Sequence, residues 1–307
     1  VTTIALSAVS RWYGSVLGVN NVELTIGPGV TGLLGPNGAG KSTLMKLLYG
    51  ELRPSHGEVR VYGERPFANP EVARRIGIVP EGDSFYPRVS GRDFVRFLMR
   101  LHGLDEAASI EATSRALKRV GLEEAAGRAI TTYSKGMRQR LKLAQAIAHG
   151  PDLLILDEPL AALDPVGRYD VMELIRAEGA RGATVVVSSH ILHEVELMTR
   201  EVVLMSQGRV LATGNVHEIR GLIDAHPHRV RVSTSTPRAL AARLLEFSGI
   251  KSVSFSEERK EVLAETSDPE HFYRGLAELV LDQGMDVSEL DSPDDNLESV
   301  FHYLVGT

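Results

Sequence analysis

Gly35-Pro36-Asn37-Gly38-Ala39-Gly40-Lys41-Ser42-Thr43 stands between a short apolar run, Val30-Thr31-Gly32-Leu33-Leu34, and a segment expected to be helical from about Lys41 to Tyr49. The apolar run reads as a buried strand entering a loop. Three glycines spaced through the loop let backbone N–H groups come close to phosphate oxygens, and the helix behind them aims its positive end at the same place. This is a phosphate-cradling loop. In it Lys41 would reach the β and γ oxygens of a triphosphate and Ser42 would ligate Mg²⁺, with Gly35, Asn37, Gly38, Ala39, Gly40 and Thr43 completing the cradle.

Downstream, Leu153-Leu154-Ile155-Leu156-Asp157-Glu158-Pro159 is the complement, an apolar strand ending in two carboxylates. Asp157 would hold Mg²⁺, and Glu158 would orient and deprotonate an attacking water as general base. Other strands are expected at residues 4–9, 22–26, 76–79, 184–188 and 202–205, with helices near 166–178 and 191–198. Strands alternating with helices imply an α/β domain with a largely parallel sheet covered on both faces. Residues 90–150 change character and read as almost wholly helical, an inserted subdomain spanning about 84–150. Phe94, Phe97, Leu98 and Leu101 mark one apolar face, and Ala116, Leu117 and Val120 mark a second. Leu141, Ala144, Gln145 and Ala148 line part of a third.

Between the two motifs lies Tyr133-Ser134-Lys135-Gly136-Met137-Arg138-Gln139-Arg140, a serine at a helix start with glycine in the first turn, poised for an anion. With this stretch in place, residues 1–220 resemble an ATP-binding cassette (ABC) subunit, of the kind found in bacterial exporters of drugs, lipids or polysaccharides. The resemblance implies a P-loop NTPase cassette that dimerises, with itself or with a homologue, around two MgATP. Ser134 and Gly136 would contact the γ-phosphate held by the other subunit. His190, after Val185-Val186-Val187-Ser188-Ser189, matches the switch histidine, and Asp164 matches the loop linking the two sites. Glu81 stands where the family usually has a glutamine that senses Mg²⁺ and the membrane partner. Tyr13 stands where an aromatic ring stacks on adenine, with Trp12 beside it as an alternative. Lys135 and Met137 depart from the common glycine and glutamine of the motif.

The whole chain has 307 residues, 43% hydrophobic and 24% charged, enough for one large domain and a small one. With no cysteine, a disulfide framework, a Cys-ligated metal and a thiol nucleophile are excluded. No apolar run is long enough to span a bilayer, and the first residues show no basic region followed by an apolar block. The expected location is therefore the cytoplasm, on the cytoplasmic face of a membrane, docked on separate membrane-spanning permease subunits. Residues 222–307 carry 8 Lys/Arg against 16 Asp/Glu, and residues 1–221 carry 26 against 24. Neither part has the excess of positive charge that a nucleic-acid partner requires. That counts against the alternative of a soluble ABC ATPase in DNA repair or translation, as do the single P-loop and the missing heptad run.

Docking on the permease would use the helical insertion and the loop after Glu81, where Phe85-Tyr86-Pro87 supplies aromatics. Past residue 222 the pattern β-α-β-β-α-β is ferredoxin-like, read here as an accessory domain acting as ligand sensor or dimer clamp. Val230 and Val232 share a strand face. Leu240, Leu244 and Leu245 fit one helix, Phe272, Leu276, Leu279 and Val280 another, and residues 286–290 a last strand. Gly221 and Pro227 punctuate the join, and Asp294-Asp295-Asn296-Leu297-Glu298-Ser299-Val300-Phe301 resembles the tail of the exporter group.

Overall fold

The computed structural model describes residues 2–86, 88–216, 219 and 228–292. The expectations resting on Pro87, Gly221, Pro227 and residues 294–301, and the join at 221/222, lie outside the described residues. The chain divides into two compact units, Val1–Asn215 and Val216–Thr307.

The first unit opens with an antiparallel sheet of β1 (Ile4–Tyr13), β2 (Val16–Ile26) and β4 (His56–Val61), in the order β2-β1-β4. Its second sheet carries the chemistry. The strands are β3 (Gly29–Leu34), β5 (Ile76–Val79), β6 (Leu153–Leu156), β7 (Thr184–Ser189), β8 (Glu201–Ser206) and β9 (Arg209–Asn215), ordered β5-β6-β7-β3-β8-β9. All neighbours run parallel except the β8–β9 pair at the edge. All four residues of β6 and all six of β7 are buried, as strands covered on both faces must be. Parallel pairing puts the carboxyl ends of β6, β7 and β3 side by side, and the crevice outside those ends is where open α/β sheets bind ligands. The edge strand β9, the strand β4 and the short helix α2 (Pro70–Ala73) were not evident from hydrophobic periodicity.

Helix α1 (Lys41–Leu48) leaves the glycine loop directly, burying Leu44, Met45, Leu47 and Leu48. The insertion is helical as expected: α3 (Gly91–Leu101), α4 (Glu106–Arg119) and α5 (Lys135–Ile147), joined by a 3₁₀ turn at Ile130–Thr132. Each starts on a side-chain cap, Ser90, Asp105 and Ser134 respectively, which satisfies one orphan N–H of the first turn. The α3 face differs from expectation. Phe94, Val95 and Met99 are buried, whereas Phe97 is 48% and Leu101 67% exposed, because the helix packs on a stripe rotated toward Val95. The second face holds, with Ala116, Leu117 and Val120 buried, and so do Leu141, Ala144 and Ala148. Helix α6 (Pro165–Ala180) starts with proline behind its Asp164 cap, and α7 (Leu192–Glu196) is shorter than expected.

The second unit runs β10 (His228–Ser233), α8 (Pro237–Leu244), β11 (Ile250–Ser256), β12 (Glu261–Thr266), α9 (Pro269–Gln283) and β13 (Glu289–Asp291). Its antiparallel sheet is ordered β11-β12-β10-β13. Val230, Val232, Val262 and Ala264 meet Leu240, Leu244, Phe272 and Leu276 in a separate core. Leu245 is solvent-exposed, just past the end of α8, and the last strand is shorter than the sequence suggested.

Candidate active site

The glycine loop follows β3, and its conformation is enforced by close packing. A Cβ on Gly35 would lie 2.3 Å from the Met205 carbonyl oxygen, and one on Gly40 2.5 Å from that of Gly18. Gly38 and Gly40 have φ of 81° and 103°, open to glycine and strained for other residues. Gly40 is also the N-cap of α1, and no side chain caps that helix. Its first-turn N–H groups are therefore left for an anion, the arrangement that suits a phosphate chain. Lys41 is buried, and its Nζ donates to the carbonyl oxygens of Gly35 at 2.6 Å and Pro36 at 3.2 Å. An ammonium folded along the loop in this way is positioned at the cradle rather than in bulk water.

The carboxylates arrive on the neighbouring strand. Asp157 is buried, and the Ser188 hydroxyl at the end of β7 donates to its Oδ1 at 2.5 Å. The same Ser188 oxygen accepts the Glu158 N–H at 2.9 Å. Glu158 has a left-handed φ of 48°, a conformation that costs a non-glycine residue about 1–3 kcal/mol and needs its surroundings to hold it. Its carboxylate oxygens both lie 3.0 Å from Nδ1 of His190. β7 and the residue that follows it thus contribute two side chains, Ser188 bracing the turn and His190 facing the carboxylate.

These parts share one cleft of about 410 Å³, within the usual range for small-molecule sites. Its walls include Tyr13, Asn37, Gly38, Ala39, Gly40, Lys41, Ser42, Thr43, Glu81, Asp157 and Glu158. Tyr13, not Trp12, lines it; the Tyr13 hydroxyl lies 3.4 Å from Thr43 Oγ1 and Arg11 sits 5.1 Å above the ring. Among the described residues no three His, Asp or Glu side chains cluster closely enough to hold a metal unaided. The donors available, the Ser42 hydroxyl and the Asp157 and Glu81 carboxylates, are hard oxygens that suit Mg²⁺ shared with phosphate and water.

Ser134, Gly136 and Asp164 do not line this cleft. Ser134 is exposed at the start of α5, where its hydroxyl accepts the Met137 N–H at 3.1 Å. Asp164 is exposed at the start of α6, accepting from Gly167 N–H and paired with Arg140 at 3.7 Å. Three residues were not singled out from the sequence. Ser188 sat inside a quoted strand, and Gln139 inside the quoted α5 motif, without assigned roles. Lys142 gave no signal, since a lysine on an amphipathic helix reads as surface; here it is 4% exposed, and burial lowers its pKa while Asp83 pulls the other way.

A second depression of about 620 Å³ lies on the insertion, walled by Tyr86, Val89, Phe94 and Phe97, with Arg96 and Arg100 among its polar residues. Phe85 packs edge-on against Phe94 and is half-buried, whereas Tyr86 is 58% exposed.

Residues 19–161 match the ABC transporter family model. Over 98% of its length the chain is 32% identical to an uncharacterised ABC transporter ATP-binding protein of Bacillus subtilis, covering 99% of that protein. The chain belongs to the ABC transporter ATP-binding family. This ABC subunit is also 33% identical to the daunorubicin/doxorubicin resistance ATP-binding protein of Streptomyces peucetius, across 99% of this chain and 92% of that one. A solved structure of the ATP-binding subunit of an ABC transporter superposes with a TM-score of 0.67 at 29% identity, covering 72% of this chain and 93% of the other. The ABC subunit is accordingly an ATPase that serves a transporter, and ATP is its nucleotide. No helix among the described residues is long and apolar enough to cross a membrane.

Proposed function

We propose that this ABC subunit hydrolyses MgATP as half of a cassette dimer and powers export through separate membrane-spanning subunits. One observation carries the reading: Lys41, Ser42, Asp157 and Glu158 line the same cleft as Tyr13 and Glu81. Lys41 holds the β and γ oxygens, and the α1 amides share their charge. Ser42 and Asp157, with Glu81 beside them, hold Mg²⁺, which neutralises charge on the phosphate oxygens when bound. Glu158 accepts the proton of the attacking water, and His190 orients that carboxylate and reaches for the γ-phosphate. Tyr13 stacks on adenine.

Ser134, Gly136 and Asp164 are exposed or half-buried and lie away from the cleft walls, as residues that complete a partner's site would. Closure of two copies, or of one copy and a homologue, brings them to the opposite nucleotide, and loss of the γ-phosphate reopens the pair. The apolar depression around Tyr86 and Phe97 is the surface offered to the membrane subunits. Export, rather than import, is favoured by the drug-resistance relative, similar along nearly the whole chain. The second unit is read as a ferredoxin-like accessory domain, on its β-α-β-β-α-β order and its strand order β11-β12-β10-β13.

The test is purification of the tagged chain from detergent-solubilised membranes, with phosphate release measured before and after reconstitution with co-eluting proteins. A stoichiometric multi-span partner that stimulates Glu158-dependent turnover supports the reading. A soluble partner, with none in the membrane fraction, overturns the transporter assignment and leaves the ATPase.

A further inference from the structure

Helix α5 grips two segments of the candidate site through one row of side chains. Gln139, Lys142 and Gln145 recur every three residues, so they share one helix face. The Gln139 amide donates to the carbonyl oxygens of Glu158 at 3.1 Å and Pro159 at 3.0 Å. Lys142 Nζ donates to those of Pro80 at 3.0 Å and Glu81 at 3.1 Å, and lies 3.5 Å from Asp83 Oδ1. Gln145 donates to the Ile78 carbonyl at 2.5 Å. Gln139 and Lys142 are 5% and 4% exposed, so these are bonds made in a dry interior, where a lost donor is costly.

What they hold is the main chain on which both candidate carboxylates hang. Glu158 sits at a left-handed φ, and its carbonyl also accepts the Ala161 N–H within the turn. From outside the turn, the structure supplies Ser188 from β7 on the amide side and Gln139 from α5 on the carbonyl side. Pro159 has no N–H with which to anchor itself. Glu81 follows the end of β5, where the strand ladder has stopped, and its carbonyl accepts from Lys142.

We infer that Gln139 and Lys142 are positioning residues for ATP hydrolysis: the helix that begins at Ser134 sets the aim of Glu158 through Gln139 and of Glu81 through Lys142. The inference rests on the reading of Glu158 as general base and of Glu81 as a ligand in the cleft. Its consequence is a mechanical link within one subunit. The helix that presents Ser134 at its start is also the one that bonds the main chain beneath Glu158 and Glu81.

The test uses the full chain with Gln139→Met and Lys142→Met, which keep the long unbranched side chains and remove the donors. Phosphate release is measured against ATP and Mg²⁺ concentration, and nucleotide binding by titration with a fluorescent ATP analogue. Turnover per binding site in Gln139→Met is expected to fall about 10- to 100-fold, the scale on which misplaced reacting groups lose rate, with nucleotide affinity within about 3-fold of wild type. Lys142→Met is expected to raise the Mg²⁺ concentration for half-activation by about 10-fold, as loss of an outer-sphere support does. A merely structural role lowers the melting temperature and the number of active sites but moves neither quantity. Wild-type turnover per site together with wild-type Mg²⁺ half-activation overturns the inference. Should Gln139→Met lose nucleotide binding altogether, Gln139→Glu, which keeps the shape and exchanges donor for acceptor, decides it: wild-type turnover again overturns the inference. Glu158→Gln separates the two claims. If that variant also turns over normally, the base assignment fails and the inference falls with it. If it is dead while both α5 variants are normal, only the inference fails.

Discussion

Nδ1 of His190 lies 3.0 Å from each carboxylate oxygen of Glu158, a bifurcated contact between the end of β7 and the turn after β6. A ring that donates there fixes the direction in which the carboxylate presents its basic lone pairs. Glu158→Gln keeps the shape and removes the base. It is expected to bind ATP normally while turnover falls by at least about 100-fold, the range of general-base loss. Steady-state phosphate release combined with nucleotide titration checks this; turnover near wild type would exclude Glu158 as base. His190→Ala should cost less in binding than in turnover, because it leaves the cradle untouched.

Lys41→Ala should show the opposite split. The ammonium belongs to the cradle, where it bonds the Gly35 and Pro36 carbonyls. A charge-assisted hydrogen bond is worth about 1.5–3 kcal/mol, so ATP affinity should weaken about 10- to 100-fold. Equilibrium nucleotide titration decides it, and unchanged affinity contradicts the role given to Lys41.

Gly40→Ala tests the cradle without touching a charge. The added methyl would approach the Gly18 carbonyl oxygen at 2.5 Å and force a φ of 103° on alanine. Backbone strain of this kind costs about 1–3 kcal/mol, and here the relief available is movement of the loop itself. Nucleotide binding should fall together with thermal stability. A variant that binds ATP normally would show that the loop tolerates a Cβ at this position.

The site was largely legible where chemistry dictates residue type. Gly35 to Thr43 and Leu153 to Glu158 are local strings whose spacing states their own geometry, and both fall where the sheet order requires. The insertion was legible as helix but not as surface. Phe97 and Leu101 follow an apolar period as well as Phe94 does, and only tertiary contact reveals that α3 buries the Val95–Met99 side instead. Gln139 and Lys142 were opaque for a related reason. Their hydrogen-bond partners include main-chain carbonyls 19 and 61 residues distant, which no pattern along α5 records. The edge strand β9 alternates in exposure, but Val210, Leu211 and Ala212 are apolar on both faces, so the sequence shows no polar–apolar alternation to announce it.

His149 supplies a pH prediction with a definite sign. Its ring stacks on His102 with centroids 4.0 Å apart, and burial, followed by the charge of His102, pushes its pKa down to about 4. The unfolded imidazole titrates near 6.5, so between about pH 4 and 6.5 the unfolded chain binds the extra proton. The stability contributed by neutral His149 is therefore present above about pH 6.5 and is lost as pH falls toward 4. Between pH 7 and 5 that loss is at most about 2 kcal/mol. His149→Phe keeps a ring for the stack and removes the titration. Urea denaturation at both pH values should show a smaller drop for the variant, and equal drops would mean that His149 titrates normally in the native state.

Phe97 is a large aromatic left exposed among the described residues. It is 48% exposed, faces Tyr86 edge-on with ring centroids 6.3 Å apart, and helps wall the depression on the insertion. Aromatic side chains left in water beside an apolar floor are what interface anchors look like before the partner arrives. Phe97→Asp places a desolvation penalty at that contact and leaves the nucleotide cleft alone. The isolated variant should therefore hydrolyse ATP at the wild-type rate and melt at about the wild-type temperature. In the membrane complex it should lose partner-stimulated turnover and co-purification together, since a hot-spot anchor contributes about 2 kcal/mol or more to binding. Retention of both would move the docking surface elsewhere on the insertion, toward the exposed Leu101 and Ile110.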